Sequence, residues 1–156
     1  MMKPDPLISV VIPNWNGKKF LPECIDSLRR QTFQNFETIL VDNGSTDGSA
    51  EFAEESYGGF VQIIRNERNL GFTGGNNVGI RSSRGEYIVL LNNDTSVEPT
   101  YLEELVKAIG SNLQIGMWAS KVFSYQHRDR IEAVGELIYW DGLNRARGQY
   151  EQDFGQ

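Results

Sequence analysis

Tyr87-Ile88-Val89-Leu90-Leu91-Asn92-Asn93-Asp94 changes character in one step, from an apolar, β-branched run to two amides and a carboxylate. Such a run reads as a buried strand. In an open α/β sheet, ligands bind just beyond the carboxyl ends of the strands. A carboxylate there is poor core material and good ligand material. Asp94 can hold a hard divalent cation, and that cation can clamp a phosphate.

Outward from this strand, strands and helices alternate. Residues 7–12 form a first strand stopped by Pro13. Phe20, Leu21, Cys24, Ile25 and Leu28 recur at helical spacing, in a segment ending near Thr32. Residues 36–41 are a second strand. A short helix follows through Ser56, with Ser45, Thr46 and Asp47 as its amino-terminal caps. Residues 60–64 are a third strand, and a glycine- and asparagine-rich turn at 69–77 leads into a short helix to about Ser82. Beyond the 87–91 strand, residues 100–111 place Leu102, Leu105, Val106 and Ile109 on one helix face, and residues 115–123 read as a fifth strand. This rhythm implies right-handed βαβ crossovers and a mostly parallel sheet. Residues 125–156 are polar, with dispersed aromatics at Tyr139, Trp140, Tyr150 and Phe154, and read as the start of a second layer.

The 156 residues suffice for one domain with a core, and 39% hydrophobic with 23% charged residues is an ordinary globular composition. No apolar stretch approaches the roughly 20 residues of a membrane span. The first seven residues lack the apolar core of a signal peptide. A single cysteine, Cys24, forms no internal disulfide and fits a reducing, cytosolic setting. The net charge of −6 and the absence of a basic cluster beyond pairs such as Lys18-Lys19 exclude nucleic acid as a partner. An acidic protein that binds an anion needs a cation, helix amino termini or backbone N–H groups to help it.

Four loops rich in Asn, Asp and Gly meet at one sheet edge. They are residues 13–17 (Pro-Asn-Trp-Asn-Gly), 42–47 (Asp-Asn-Gly-Ser-Thr-Asp), the glycine-rich segment 69–77, and 92–95 (Asn-Asn-Asp-Thr). Turns use these residue types anyway, but the turns at the opposite edge carry no such concentration. Asp42 can accept the imide N–H of a pyrimidine; its competing role is to cap the following turn, for which Ser45, Thr46 and Asp47 are better placed. Trp15 can stack on a base or be an ordinary half-buried aromatic. Asp94 can equally form a strand-end turn leading to Pro99. The two glycosylation sequons, at Asn43 and Asn93, are chance matches in the absence of a secretory signal. The glycines fit neither a dinucleotide fingerprint nor a P-loop. His127 and Cys24 are isolated, which argues against zinc, and no nucleophile elbow is present.

Val10-Val-Ile-Pro-Asn-Trp-Asn16, Leu28-Arg-Arg-Gln-Thr-Phe33, Val41-Asp-Asn-Gly-Ser-Thr-Asp47, Asn69-Leu-Gly-Phe-Thr-Gly-Gly-Asn-Asn-Val-Gly-Ile80 and Leu91-Asn-Asn-Asp94 occur in that order. As an ordered set, over residues 7–123, they resemble the nucleotide-binding half of family 2 glycosyltransferases. The glycine-rich loop looks most like that of rhamnosyltransferase and galactofuranosyltransferase-like members, which build bacterial surface polysaccharides.

The resemblance implies an α/β, GT-A fold, a Rossmann-like and mostly parallel sheet flanked by helices on both faces. It implies a nucleotide-sugar-binding domain over residues 1–124, with residues 125–156 beginning an acceptor-binding part. It implies inverting transfer of a sugar, such as rhamnose, from a dTDP- or UDP-linked donor to a saccharide or lipid-linked acceptor. The setting would be the cytoplasm or the inner face of the cytoplasmic membrane. Donor contacts map to Pro13, Trp15, Asn16, Asp42, Asn43, Ser45, Gly71, Gly74, Asn77, Asn93 and Asp94. The family's D-x-D motif falls on residues 92–94, which keep only the last carboxylate. Mg²⁺ or Mn²⁺ is therefore expected on Asp94, with Asn92 a weaker ligand and Asn93 facing the donor ribose or sugar. The catalytic base belongs to the acceptor half and is expected beyond Gln156; Glu132, Glu136 and Asp141 do not sit in a base-like context. The chain is accordingly expected to be a donor-binding piece of a longer enzyme. A degenerate, non-catalytic relative is the main competing class. A sugar nucleotidyltransferase lacks support because its basic glycine-rich loop is missing, and a receiver module because its acidic pair is missing.

Overall fold

A computed structural model describes residues 5–111, 114–138 and 144–153 of the chain. The strands β1 (Ile8–Asn14), β2 (Phe36–Asp42), β3 (Val61–Arg65) and β4 (Tyr87–Leu90) form a parallel sheet in the order β3-β2-β1-β4. The chain first steps outward from β1 to β3 and then returns to the other side of β1. The gap beyond β1 and β4 is therefore a topological switch point, the place where open α/β sheets bind ligands. The register sets Asn14 beside Asp42 and Val11 beside Leu90.

Alternation along the strands builds two apolar faces. Ile8, Val10, Ile12 and Leu40 are buried on one face. They pack with α1 (Leu21–Arg29) through Leu21, Cys24, Ile25 and Leu28, with α2 (Ser49–Tyr57) through Ala53 and Tyr57, and with α4 (Tyr101–Ser111) through Leu102. Full burial of each such aliphatic side chain stabilises the fold by about 1.5–3 kcal/mol. The other face presents Val11, Ile39 and Val41 to Val78 of α3 (Gly71–Ser82). Here α3 lies against the sheet through Gly79: a Cβ at that position would overlap Val11 and stand 3.1 Å from Val41 Cγ2. The expectation of helices on both faces is met.

One polar cluster fixes where β4 begins. The Glu37 carboxylate accepts from Ser9 Oγ (2.7 Å), from the Arg84 backbone N–H (2.8 Å) and from the Arg84 guanidinium (2.7 and 3.1 Å). Ser9 Oγ in turn accepts from Gly85 N (2.8 Å). Burial pushes the Glu37 carboxyl up, but the Ser9 hydroxyl and Arg84 outweigh it and hold it below its ordinary value.

The chain divides into two compact units, residues 1–108 and 109–156. In the second, β5 (Lys121–Phe123) pairs antiparallel with β6 (Ile131–Val134), and β7 (Glu136–Ile138) pairs antiparallel with β8 (Asn144–Ala146). Lys121 and Asp153 form an ion pair at 2.9 Å. Tyr139, Trp140, Asp141 and Phe154 lie outside the described residues.

Three sequence expectations are corrected. The strand over 115–123 shortens to Lys121–Phe123 and lies outside the parallel sheet. Its first half contains Gly116, which adds no side chain to a ladder, and Met117, which is exposed. The glycine-rich turn is already helical from Gly71. The second helix starts at Ser49 after Gly48, which takes a left-handed φ of 77°. Of the expected caps only Asp47 serves that helix, accepting from Ser49 N at 3.0 Å and from the Ser49 hydroxyl. Ser45 and Thr46 are drawn instead into contacts with the first loop.

Candidate functional site

An open cleft of about 330 Å³ lies at the carboxyl edge of the parallel sheet. The end of β1 contributes Pro13, Asn14 and Trp15, and the end of β2 contributes Asn43. The start of α3 adds Asn69, Gly71 and Phe72, and the end of β4 adds Asn92, Asn93 and Asp94. Trp15 and Phe72 are 56% and 64% exposed, an unusual state for large aromatics and a suitable one for stacking.

Two carboxamides organise the walls. Asn43 is buried and uses its full hydrogen-bonding capacity. Its Nδ2 donates to Asn69 Oδ1 and Gly71 O (3.0 Å each), and its Oδ1 accepts from Asn66 Nδ2 and Leu70 N (3.1 Å each). That set pins the chain where Gly71 adopts a left-handed φ of 75° and α3 begins. A Cβ on Gly75 of α3 would stand 3.2 Å from Asn43 Nδ2, so the helix is held tightly against this amide.

Asn14 is the second organiser and is 1% exposed. Its Nδ2 donates to Asp42 Oδ1 (3.3 Å) and Ser45 Oγ (3.2 Å), while its Oδ1 accepts from Asn93 Nδ2 (2.7 Å). Asp42 Oδ2 accepts from Ser45 N at 3.2 Å. Asp42 thus does cap the following turn, a role the sequence favoured for its neighbours. Asn16, at a φ of 50° that asparagine tolerates, donates its N–H to Ser45 Oγ (2.9 Å) and accepts from Thr46 N (2.8 Å). These bonds lock the first and second loops together.

Among the described residues lining the cleft there is no Lys, Arg or His, and Asp94 is the only carboxylate. Beneath it, the Cys24 thiol donates to Asn92 O at 3.7 Å. Burial, with the Asp94 charge as a second cause, pushes that thiol up to about 12. Among the described residues no group of three or more His, Cys, Asp or Glu is arranged to hold a metal. One carboxylate with a neighbouring amide, Asn92, is too small a donor set for a cage. It does fit Mg²⁺ or Mn²⁺ completed by phosphate oxygens and water.

Of the residues singled out from sequence, Pro13, Trp15, Asn43, Gly71, Asn92, Asn93 and Asp94 line the cleft. Asn16, Asp42 and Ser45 fall outside the lining, Asn16 exposed and Asp42 only 4% exposed. Gly74 and Asn77 lie further along α3, Asn77 exposed and outside the lining. Glu132 is exposed on β6. Sequence reading missed Asn14, Asn69 and Phe72. Asn14 had a signal: it shares the strand parity of Ile8, Val10 and Ile12, so its amide faces inward at the strand end.

Residues 9–154 match the family described as glycosyl transferase family 2. Glycosyltransferase GlyG of Streptococcus pneumoniae is 38% identical, over 93% of this chain and 52% of its own length. Among solved structures, TarS of S. aureus superposes with a TM-score of 0.62 at 27% identity, over 67% of this chain and 19% of its own. A mannosyltransferase of Pyrobaculum calidifontis, solved with GDP-Man and Mn²⁺, gives a TM-score of 0.64 at 22% identity, over 77% of this chain and 36% of its own. The parallel sheet, the helices on both faces and the switch-point cleft are those of the GT-A class. The chain belongs to glycosyltransferase family 2, and it spans about half the length, or less, of the curated relatives it matches.

Proposed function

We propose that this chain is the donor-binding part of an inverting glycosyltransferase that moves a sugar, rhamnose being the type the glycine-rich loop suggests, in bacterial surface-polysaccharide synthesis. The donor is a nucleoside diphosphate sugar, dTDP- or UDP-linked, and the acceptor a saccharide or lipid-linked saccharide at the cytoplasmic face of the membrane. Among the described residues no helix is long and apolar enough to cross a membrane. Residues 1–124 form the donor half, and residues 125–156 begin the acceptor half.

The observation that carries this reading is the charge pattern of the cleft. Among the described residues two exposed aromatics flank it, one carboxylate lines it, and no cationic side chain lines it. An anionic diphosphate entering such a site needs an accompanying cation. Asp94, with Asn92 beside it, would hold Mg²⁺ or Mn²⁺, which when bound neutralises charge on the leaving diphosphate. Relatives' ligands agree in kind: TarS is solved with UDP and with UDP-GlcNAc, the mannosyltransferase with GDP-Man and Mn²⁺.

Trp15 and Phe72 bind the base by stacking, and Asn93 orients the sugar or ribose. The acceptor hydroxyl attacks the anomeric carbon opposite the diphosphate and gives its proton to a carboxylate. Among the described residues the lining supplies no second carboxylate for that role, and donor binding without efficient turnover is the expected behaviour of this chain. Isothermal titration of UDP and dTDP, with and without Mn²⁺ or Mg²⁺, tests the reading. Metal-dependent binding of at least one is expected; binding of neither under any condition would refute it.

A further inference from the structure

We infer that Asn14 is a positioning residue that sets the polarity of Asn93, so that Asn93 offers the cleft a carbonyl oxygen and selects a ligand hydroxyl. The inference rests on the donor-site reading and adds to it a buried residue that acts through Asn93.

When ionised, Asp42 is an acceptor only. Its Oδ2 is taken by the backbone of Ser45 and its Oδ1 lies 3.3 Å from the Asn14 amide. Asn14 must therefore turn its NH₂ group toward Asp42. Its carbonyl oxygen then has one direction left, toward Asn93, and only the NH₂ of Asn93 can answer it, at 2.7 Å. The Asn93 amide is fixed in turn, with Nδ2 inward. Among the described residues no group donates to Asn93 Oδ1, and Asn93 lines the cleft. A free asparagine could present either end of its amide; this one is committed to presenting the acceptor.

Gly17 supports the same arrangement from the side. A Cβ there would overlap Asn93 Nδ2 and crowd Asn14 Oδ1, so only glycine leaves room for the Asn93–Asn14 bond. Ser45 Oγ accepts the second N–H of Asn14 at 3.2 Å and closes the chain of bonds. The carboxylate of Asp42, 4% exposed, thereby dictates the chemistry of a group in the cleft without reaching it. A carbonyl acceptor suits the hydroxyl-rich part of a nucleotide sugar and disfavours a ligand that offers only acceptors at that place.

The test compares UDP and dTDP with their 2′,3′-dideoxy analogues, titrated in Mg²⁺ against wild type, Asn14→Ala, Asn93→Ala and the double variant. Wild type should favour the hydroxylated nucleotide by about fivefold, the scale of one net hydrogen bond. Each single variant should lose that preference, and the double variant should lose no more. A loosened site with no directional role would weaken both ligands alike. Retention of the preference in Asn14→Ala, or additive losses in the double variant, would overturn the inference. If Asn14→Ala fails to fold, the loss of preference in Asn93→Ala decides. If wild type binds no nucleotide, the donor-site reading falls, and the relay is judged by NMR on the wild-type side-chain amides. Slow hydrogen exchange at Asn93 Nδ2 supports it, and exchange as fast as at exposed Asn77 overturns it.

Discussion

Asn43 has no hydrogen-bonding position to spare, with two donors given to Asn69 and Gly71 and two acceptor sites filled by Asn66 and Leu70. It lines the cleft, yet its polar work is to hold the chain that presents Phe72. Truncation orphans a backbone N–H and a backbone carbonyl at the start of α3. Asn43→Ala should therefore lower stability by about 3 kcal/mol in urea unfolding, with nucleotide affinity falling as the α3 start loosens. Stability within about 0.5 kcal/mol of wild type would contradict the role. At this scale the sequence was readable where chemistry is local. A carboxylate after an apolar strand marked Asp94, and an aromatic after Pro13-Asn14 marked Trp15. Phe72 was not readable, and Asn14 only as an inward-facing amide by strand parity, because their roles depend on partners far along the chain. Asn14 meets Asp42 and Asn93 only once three parallel strands lie side by side.

Elements are held in place by polar clusters as much as by core packing. Glu37 joins β1, β2 and the chain before β4 through Ser9 and Arg84. Its carboxyl is held below its ordinary value, so the folded state favours the ionised form. That contribution is present above the ordinary carboxylate range and lost as pH falls through the lowered folded value. Glu37→Gln should be less stable than wild type near neutral pH, by about 1–2 kcal/mol. The gap should narrow as pH drops from about 6 to about 3, as read from urea midpoints across that range. A gap that stays constant would place the effect elsewhere. Most elements were legible from periodicity, since buried strands and amphipathic helices carry their burial pattern in the sequence. The 115–123 strand was not. Its apolar content suggested a ladder, but a strand exists only where a neighbour pairs with it, and pairing begins at Lys121. The start of α3 was also hidden, because Gly71-Phe-Thr-Gly-Gly75 reads as turn until Asn43 ties its first residues down.

At the scale of the molecule, membership of glycosyltransferase family 2 rests on a match over residues 9–154, and the GT-A architecture on the parallel sheet and its superposition on solved relatives. On the proposed reading, a net charge of −6 and a cleft that no cation lines among the described residues leave a bound diphosphate in need of a metal. In the proposed site, metal and nucleotide meet at the end of β4. The most direct measurement is the paramagnetic broadening of backbone NMR signals when Mn²⁺ is added in the presence of UDP or dTDP. If the proposed site is right, the signals of Asn92, Asn93 and Asp94 vanish first, those of Trp15 and Phe72 weaken next, and Asp94→Asn abolishes the pattern. Broadening centred elsewhere on the chain, or an unchanged pattern in Asp94→Asn, would contradict it.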